Sequence, residues 1–407
     1  MSETGLERKY IQEAFDTNWV APLGPNVDGF EADLERFLGQ GRKVAALSSC
    51  TAALHLALLM LGVGRDDEVL CQSLSFCASS HPVTYCGARP VFIDSEPDTW
   101  NLDPNLLEAA INDRIQITGN KPKAIIVVDL YGMPADWGAL ESIGQKYDIP
   151  IIEDAANALG SLYQGRPCGA FGKLGTFSFN GNKIITTSGG GALVCPDEAT
   201  KRKAVFLATQ ARENAPYYQH EVIGFNYRLS NISAGIGRGQ MTVLDAHVRH
   251  HKQVHELYKT LLAGVDGITV HDDPSDKFDS NFWLTTITID SSVKVKGQDG
   301  QRTVYSDCQP NDNVEALRVY LDAAGIEARP LWKPMHKQPV YQRVESSELR
   351  VESLPDGIVR QTSDTSVAYI NGVSEGLFKV GMCLPSGPYV SDEDVRYIVE
   401  TIKEAIL

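Results

Sequence analysis

Between Lys43 and Val194 the chain alternates short β-branched runs with segments of helical periodicity, and this alternation restricts the fold more than any other feature. Strands that alternate with helices pair in parallel, so the segment predicts an α/β architecture: a mostly parallel sheet with helices on both faces. Seven strands are expected, at Val44–Leu47, Val69–Leu70, Pro90–Ile93, Ala124–Val128, Ile149–Glu153, Thr176–Phe179 and Gly191–Val194. Helices fill the gaps. Thr51–Leu61 and Trp137–Tyr147 are each apolar on one face, and Asn105–Asn112 follows the start signal Asp103-Pro104.

Beyond this segment the pattern changes. Ser230–Leu262 reads as one long helical stretch, followed by a strand signal at Phe282–Ile289 and a helix ending at Gly325. A chain of 407 residues exceeds what one core usually supports. We therefore expect a large domain with an N-terminal helical arm over residues 1–260 and a smaller α+β domain over 261–407. Polar residues with Gly297, Gly300 and Pro310 mark Ser291–Asn313 as an exposed loop, and Ser391-Asp-Glu-Asp394 caps a last amphipathic helix running to Ile406.

The formal charge of −15 comes without a cluster of Lys and Arg, which argues against a nucleic-acid partner. Eight cysteines are scattered without a C-x-x-C pair, and most lie in apolar stretches, as expected of buried thiols in a reducing compartment. Met1–Tyr10 is charged and lacks the apolar core of a secretory signal. The longest apolar run, Thr51–Val63, contains His55 and is too short to span a bilayer, so a cytoplasmic protein without membrane association is expected.

Three stretches carry chemistry. Ser48-Ser-Cys-Thr-Ala-Ala53 lies between an expected strand and helix, where unpaired N–H groups and small hydroxyl side chains suit an anion such as a phosphate. Taken alone it also reads as a plain helix cap. Pro150-Ile-Ile-Glu-Asp154-Ala-Ala-Asn157 is an apolar strand ending in two carboxylates. Ligands sit beyond the carboxyl ends of parallel strands, so Asp154 is placed to meet one, although a cap role reads equally well. Gly175-Thr-Phe-Ser178-Phe-Asn-Gly-Asn-Lys183 presents a lysine among Ser, Asn and Thr residues with hardly any counter-charge, an unusual setting for a solvated lysine. A phosphate cup, a carboxylate for a ring nitrogen and a lysine for an aldehyde are together what pyridoxal 5'-phosphate requires.

Six stretches, in order, resemble the DegT/DnrJ/EryC1/StrS family of sugar aminotransferases, of the aspartate-aminotransferase-like fold: Ser49–Ala57, Gly87–Asp94, Glu153–Ala156, Phe177–Lys183, Gly224–Arg228 and Gly325–His336. The resemblance implies that Lys183 holds pyridoxal phosphate, Asp154 meets its ring nitrogen and Phe76 stacks on the ring. By the same carry-over, Thr51, Ala52 and Ser178 cup the phosphate, while Asn226 reaches the phosphate of the neighbouring subunit in a homodimer with a shared active site. Cys50 stands where the family usually has Gly, and Asn157 where Gln, His or Glu is common near the cofactor's 3-hydroxyl. The strings Asn180–Gly191, Arg329–His336 and Asn18–Pro25 are most similar to the branch that aminates C4 of UDP-4-keto-6-deoxy-N-acetylhexosamines for capsules, exopolysaccharides and glycans. L-glutamate would be the donor and 2-oxoglutarate its product. Alternatives are an aminotransferase for a C3 keto or a GDP- or dTDP-linked sugar, a sugar dehydratase of the same fold, and a non-catalytic sensor of pyridoxal phosphate or a nucleotide sugar. A dehydratase characteristically has histidine in place of this lysine.

Arg228, Arg329, Trp332, Lys333 and His336 are expected beside the substrate, because a diphosphate and the donor's carboxylates need cations in an acidic protein. Each charged member could instead be a surface ion pair. His247, His251 and His255, with His250 beside them, are expected on a solvated helix face rather than around a metal, and Glu153 is expected to be structural.

Overall fold

A computed structural model describes residues 4–300, 304, 308–344 and 349–407. The strands in chain order are β1 (Lys43–Leu47), β2 (Glu68–Gln72), β3 (Arg89–Ile93), β4 (Ala124–Val128), β5 (Ile151–Asp154), β6 (Leu162–Tyr163), β7 (Arg166–Pro167), β8 (Leu174–Ser178) and β9 (Gly191–Cys195). They are followed by β10 (Ile268–Val270), β11 (Phe278–Asp279), β12 (Thr285–Ile289), β13 (Arg329–Pro330), β14 (Arg350–Ser353), β15 (Val359–Thr362), β16 (Val367–Ile370) and β17 (Gly381–Leu384).

Central strand β4, Ala-Ile-Ile-Val-Val, is buried on both faces, as a β-branched run between parallel neighbours must be. Its alternate side chains serve two cores. Ile125 and Val127 join Phe30, Trp137 and Phe177 on one face, whereas Ala124 and Ile126 join Leu54, Phe92 and Ile152 on the other. The seven expected strands all form, and β9, antiparallel to both β1 and β8, is the one reversed strand among them.

The sheet is larger than expected. Its order is β1-β9-β8-β5-β4-β2-β3-β16-β15-β14, ten strands, because β16 pairs in parallel with β3 and carries β15 and β14 beyond it. Residues 350–370 thus return to the main sheet and cross the division expected near residue 260. The apolar edge of β3 needed a partner, and Val367-Ala-Tyr-Ile370 supplies a fully buried one. A second sheet, β10-β12-β17-β13, packs under the helices Leu244–Leu262, Asp312–Ala323 and Asp392–Ala405 around Tyr258, Leu317 and Ile402. The last helix has the expected capping box of Ser391 and Asp394.

Ser230–Leu262 is two helices, Asn231–Met241 and Leu244–Leu262, not one. Thr242 Oγ donates back to the Gly239 carbonyl oxygen, a local bond that competes with helix continuation. The histidine face of the second helix is turned inward, contrary to expectation, since His251 and His255 are both buried. This helix lies between two cores, so its polar-looking ridge meets protein instead of water. Strand β12 begins at Thr285 rather than Phe282, whose φ of 45° is not extended. In the loop expected at 291–313, residues 301–303 and 305–307 lie outside the described residues, and a helix already starts at Asp312.

Candidate active site

At the carboxyl ends of β1, β5 and β8 a cavity of about 1320 Å³ opens towards the second sheet. Its floor begins where β1 gives way to the helix Cys50–Met60. Ser49 caps that helix, its Oγ accepting the Ala52 N–H at 3.0 Å. The Cys50 and Thr51 N–H groups precede the first internal helical bond, so the helix start carries donors and a positive partial charge where an anion would sit. Gly191 makes this close fit possible: a Cβ there would lie 2.3 Å from Cys50 N. Thr51 and Ser178 line the cavity. Ala52 is buried and contributes backbone rather than side chain.

Asp154 ends β5 with its carboxylate fully enclosed. Ser79 Oγ donates to Oδ2 at 2.7 Å, the Ala156 N–H donates to Oδ1 at 3.1 Å, and Cys50 Sγ lies 3.7 Å from Oδ1. Burial pushes this carboxyl above its ordinary range, against the pull of those donors and of the Lys183 ammonium. Neighbouring Glu153 points to the other face and accepts the Phe171 N–H at 2.7 Å and the Gly172 N–H at 3.3 Å, as well as that of Gly169. Asp129 and Cys168 approach Glu153 closely enough to suggest a metal cluster. Both Glu153 oxygens are already taken by N–H donors, so the group is a hydrogen-bonded anchor for the strand end.

Lys183 sits in the loop between β8 and β9, where its own N–H donates to the Asn180 carbonyl. Its Nζ donates to Asn157 Oδ1 at 2.5 Å and lies 3.9 Å from the ring centroid of Trp283. Desolvation lowers the amine from 10.5 to about 8, with Asp154 and then Cys50 opposing the shift. A lysine near neutrality can both attack a carbonyl and move a proton.

The remaining expected residues divide. Phe76 is half exposed on the cavity wall, with its centroid 5.6 Å from that of Trp332. Trp332, Lys333 and Arg329 line the same cavity, Arg329 paired with Glu327 at 2.7 Å. Arg228 does not reach it: its guanidinium is buried against Glu31 Oε1 at 2.6 Å and the Ala46 carbonyl at 3.0 Å, bracing the end of β1. Nor does His336, which is enclosed between Ser73 Oγ at 2.6 Å and Glu375 Oε1 at 3.3 Å. In both cases an internal acceptor binds the cation or imidazole that sequence reasoning assigned to a ligand. Asn226 is exposed, outside the cavity of its own chain. Ser49 lay inside the expected helix-start motif, whereas Ser79 and Trp283 went unrecognised, neither having a local signal.

The donor set suits pyridoxal phosphate on structural grounds: a helix start free for the phosphate, a buried carboxylate without a cation in hydrogen-bond reach, and an amine without an ion pair among the described residues. The model of the DegT/DnrJ/EryC1/StrS aminotransferase family matches residues 2–403. EpsN of Bacillus subtilis, described as a pyridoxal phosphate-dependent aminotransferase, is 44% identical over 399 residues, covering 98% of this chain and 92% of EpsN. The GDP-perosamine synthase of Caulobacter vibrioides is 35% identical over 347 residues, 85% of this chain and 87% of that one. Among solved structures, a DegT/DnrJ/EryC1/StrS aminotransferase from Brucella abortus superimposes with a TM-score of 0.82 at 27% identity, covering 98% of this chain and 95% of the other. Fold, site chemistry and relatives agree, and the chain belongs to the DegT/DnrJ/EryC1/StrS aminotransferase family as a pyridoxal phosphate-dependent sugar aminotransferase.

Proposed function

We propose that the enzyme moves the amino group of L-glutamate to the C4 keto group of a UDP-linked 2-acetamido-2,6-dideoxy-4-keto-hexose, in the cytoplasm, for capsule, exopolysaccharide or glycan synthesis. The observation that carries the reading is a single cavity holding Lys183 and Asp154 at its floor and Arg329 and Lys333 at its rim. When bound, the cofactor supplies an electron sink for the carbon that loses its proton. Lys183 would hold the cofactor by its Nζ and, once released, shuttle that proton. Asp154, locked by Ser79, would keep a positive charge on the ring nitrogen. Thr51, Ala52 and Ser178 would bind the phosphate, Asn157 would sit beside Nζ, and Phe76 would cover one ring face. The rim cations favour a diphosphate and carboxylates inside an otherwise acidic protein.

A homodimer completes the proposal. Tyr217, Tyr218, Val222 and Ile223 are all exposed just before Asn226, an apolar strip that a monomer would leave in water. Seated on a second copy, it would carry Asn226 towards the other active site. No described helix is long and apolar enough to cross a membrane.

The relatives named GDP-perosamine synthase favour a second reading, in which the nucleotide is GDP. Purified protein is incubated with L-glutamate and either UDP-4-keto-6-deoxy-GlcNAc or GDP-4-keto-6-deoxy-mannose, and the products are assigned by NMR. A C4 amine on the UDP sugar alone supports the proposal. Amination of the GDP sugar alone replaces it with the second reading, and a glutamate-dependent colour change without either product rejects both sugars.

A further inference from the structure

Trp283 touches the lysine loop twice. Its ring centroid lies 3.9 Å from Lys183 Nζ, and its Nε1–H donates to the Asn182 carbonyl oxygen at 2.7 Å across 101 positions of sequence. The residue before it fixes how it is presented. Phe282 has a φ of 45°, uncommon for a bulky side chain. Its N–H donates to Ser280 Oγ at 3.0 Å, its carbonyl accepts from His251 Nδ1 at 3.2 Å, and its ring stacks on His255 with centroids 3.6 Å apart. The Trp283 N–H is bound in turn by Asn281 Oδ1 at 2.8 Å. Another member of the same histidine row, His247, meets the Ile184 carbonyl at 2.9 Å, one residue beyond Lys183. One helix face therefore braces both the lysine loop and the segment bearing the tryptophan.

We infer that Trp283 is a positioning residue for Lys183: its ring face, with the Asn157 amide oxygen, cradles the lysine amine whenever that amine is not bonded to cofactor, and its indole N–H holds the loop that carries it. The inference rests on Lys183 being the cofactor lysine, as proposed above. Asn157 is neutral, and no carboxylate lies within ion-pair distance of Nζ among the described residues, so the Asn157 amide oxygen and the aromatic face are the two contacts that favour an ammonium at close range. Asp154 on β5 and Cys50 at the helix start are the titratable groups that act on it from a greater distance. An amine held at one point can collect and return a proton along a constant path.

The test is competitive acetylation across pH, read by mass spectrometry on the Lys183 peptide. It is run on the cofactor-free chain and on the chain loaded with pyridoxamine 5'-phosphate, which has no aldehyde and leaves the lysine unbonded. Trp283→Phe keeps an aromatic face, Trp283→Leu keeps only apolar bulk, and fluorinated tryptophans weaken the ring's negative face while preserving its shape. We expect the ammonium-to-amine ratio of Lys183 at a given pH to fall about 2- to 30-fold in the leucine variant. It should fall stepwise along the fluorinated series and stay within about 2-fold of wild type in the phenylalanine variant. Fluorinated proteins that titrate Lys183 as wild type does would overturn the inference, as would a phenylalanine variant that falls as far as leucine. Should the leucine variant not fold, the fluorinated series decides. A wild-type chain that takes up no cofactor would reject the pyridoxal phosphate role of Lys183, while the labelling of the cofactor-free chain would still report on the cradle.

Discussion

Asp154 and Lys183 share a cavity without pairing directly, and each is held by neutral groups: Ser79, Ala156 and Cys50 on the carboxylate, Asn157 and Trp283 on the amine. Two charges that neutralised each other would be spent; these stay available to a ligand. Lys183→Ala should still take up pyridoxal phosphate through the phosphate and ring contacts. It should give no borohydride-fixed adduct and lose about 10²- to 10⁴-fold or more of its turnover, measured by single-turnover spectroscopy. Ser79→Ala removes the shorter of the two conventional hydrogen bonds to a buried charge, worth about 1.5–3 kcal/mol. Cofactor affinity should then fall roughly 10- to 100-fold in a fluorescence titration, with far-UV dichroism unchanged. Lysine and aspartate were legible because each lies inside a local motif, Asp154 at the end of β5 and Lys183 in the loop that follows β8. Ser79 was not, because a serine in the short turn Cys77–Ser79 declares no partner until β5 is brought beside it.

At the level of elements, the strands of the main sheet follow from short β-branched apolar runs such as Ala124–Val128, and the helices from caps such as Asp103, whose carboxylate accepts the Asn105 and Leu106 N–H groups. The helix Leu244–Leu262 shows where local pattern stops. Its charged residues read as solvated, yet His251 is 2% exposed, and its Nε2 has no hydrogen-bond partner among the described residues. Burial lowers this imidazole from 6.5 to about 4, and the Phe282 carbonyl only partly compensates. The folded value lies below the unfolded one, so from pH 6.5 downwards the unfolded chain takes up a proton that the folded chain refuses. Stability should therefore drop progressively from pH 6.5 to about 4. His251→Gln, which keeps a donor for Phe282, should remove on the order of 1–3 kcal/mol of that drop in urea titrations at the two pH values.

For the whole molecule, two sheets and the cleft between them make the site. Trp283, Arg329 and Trp332 come from the C-terminal part of the chain, while Thr51, Asp154 and Lys183 come from the N-terminal part. The proposed homodimer predicts a sedimentation mass twice that of the 44.5 kDa chain. Ile223 is 86% exposed, so Ile223→Glu would leave a monomer's fold intact while placing a charge in the apolar strip. It should shift the protein towards monomer and weaken cofactor retention in the same samples. A monomeric wild type that retains full cofactor affinity would remove Asn226 from the site.

The chain's own pattern determined the α/β class, the seven central strands, the anion-ready helix start and the candidate pair Asp154 and Lys183, because propensity, periodicity and short motifs act over a few residues. Folding decided the rest. It added β14–β16 to the sheet, turned a histidine row inward, withdrew Arg228 and His336 into structural bonds, and brought Trp283 against Lys183. Each of these outcomes depends on which surfaces must leave water together, and residues far apart along the chain settle that jointly.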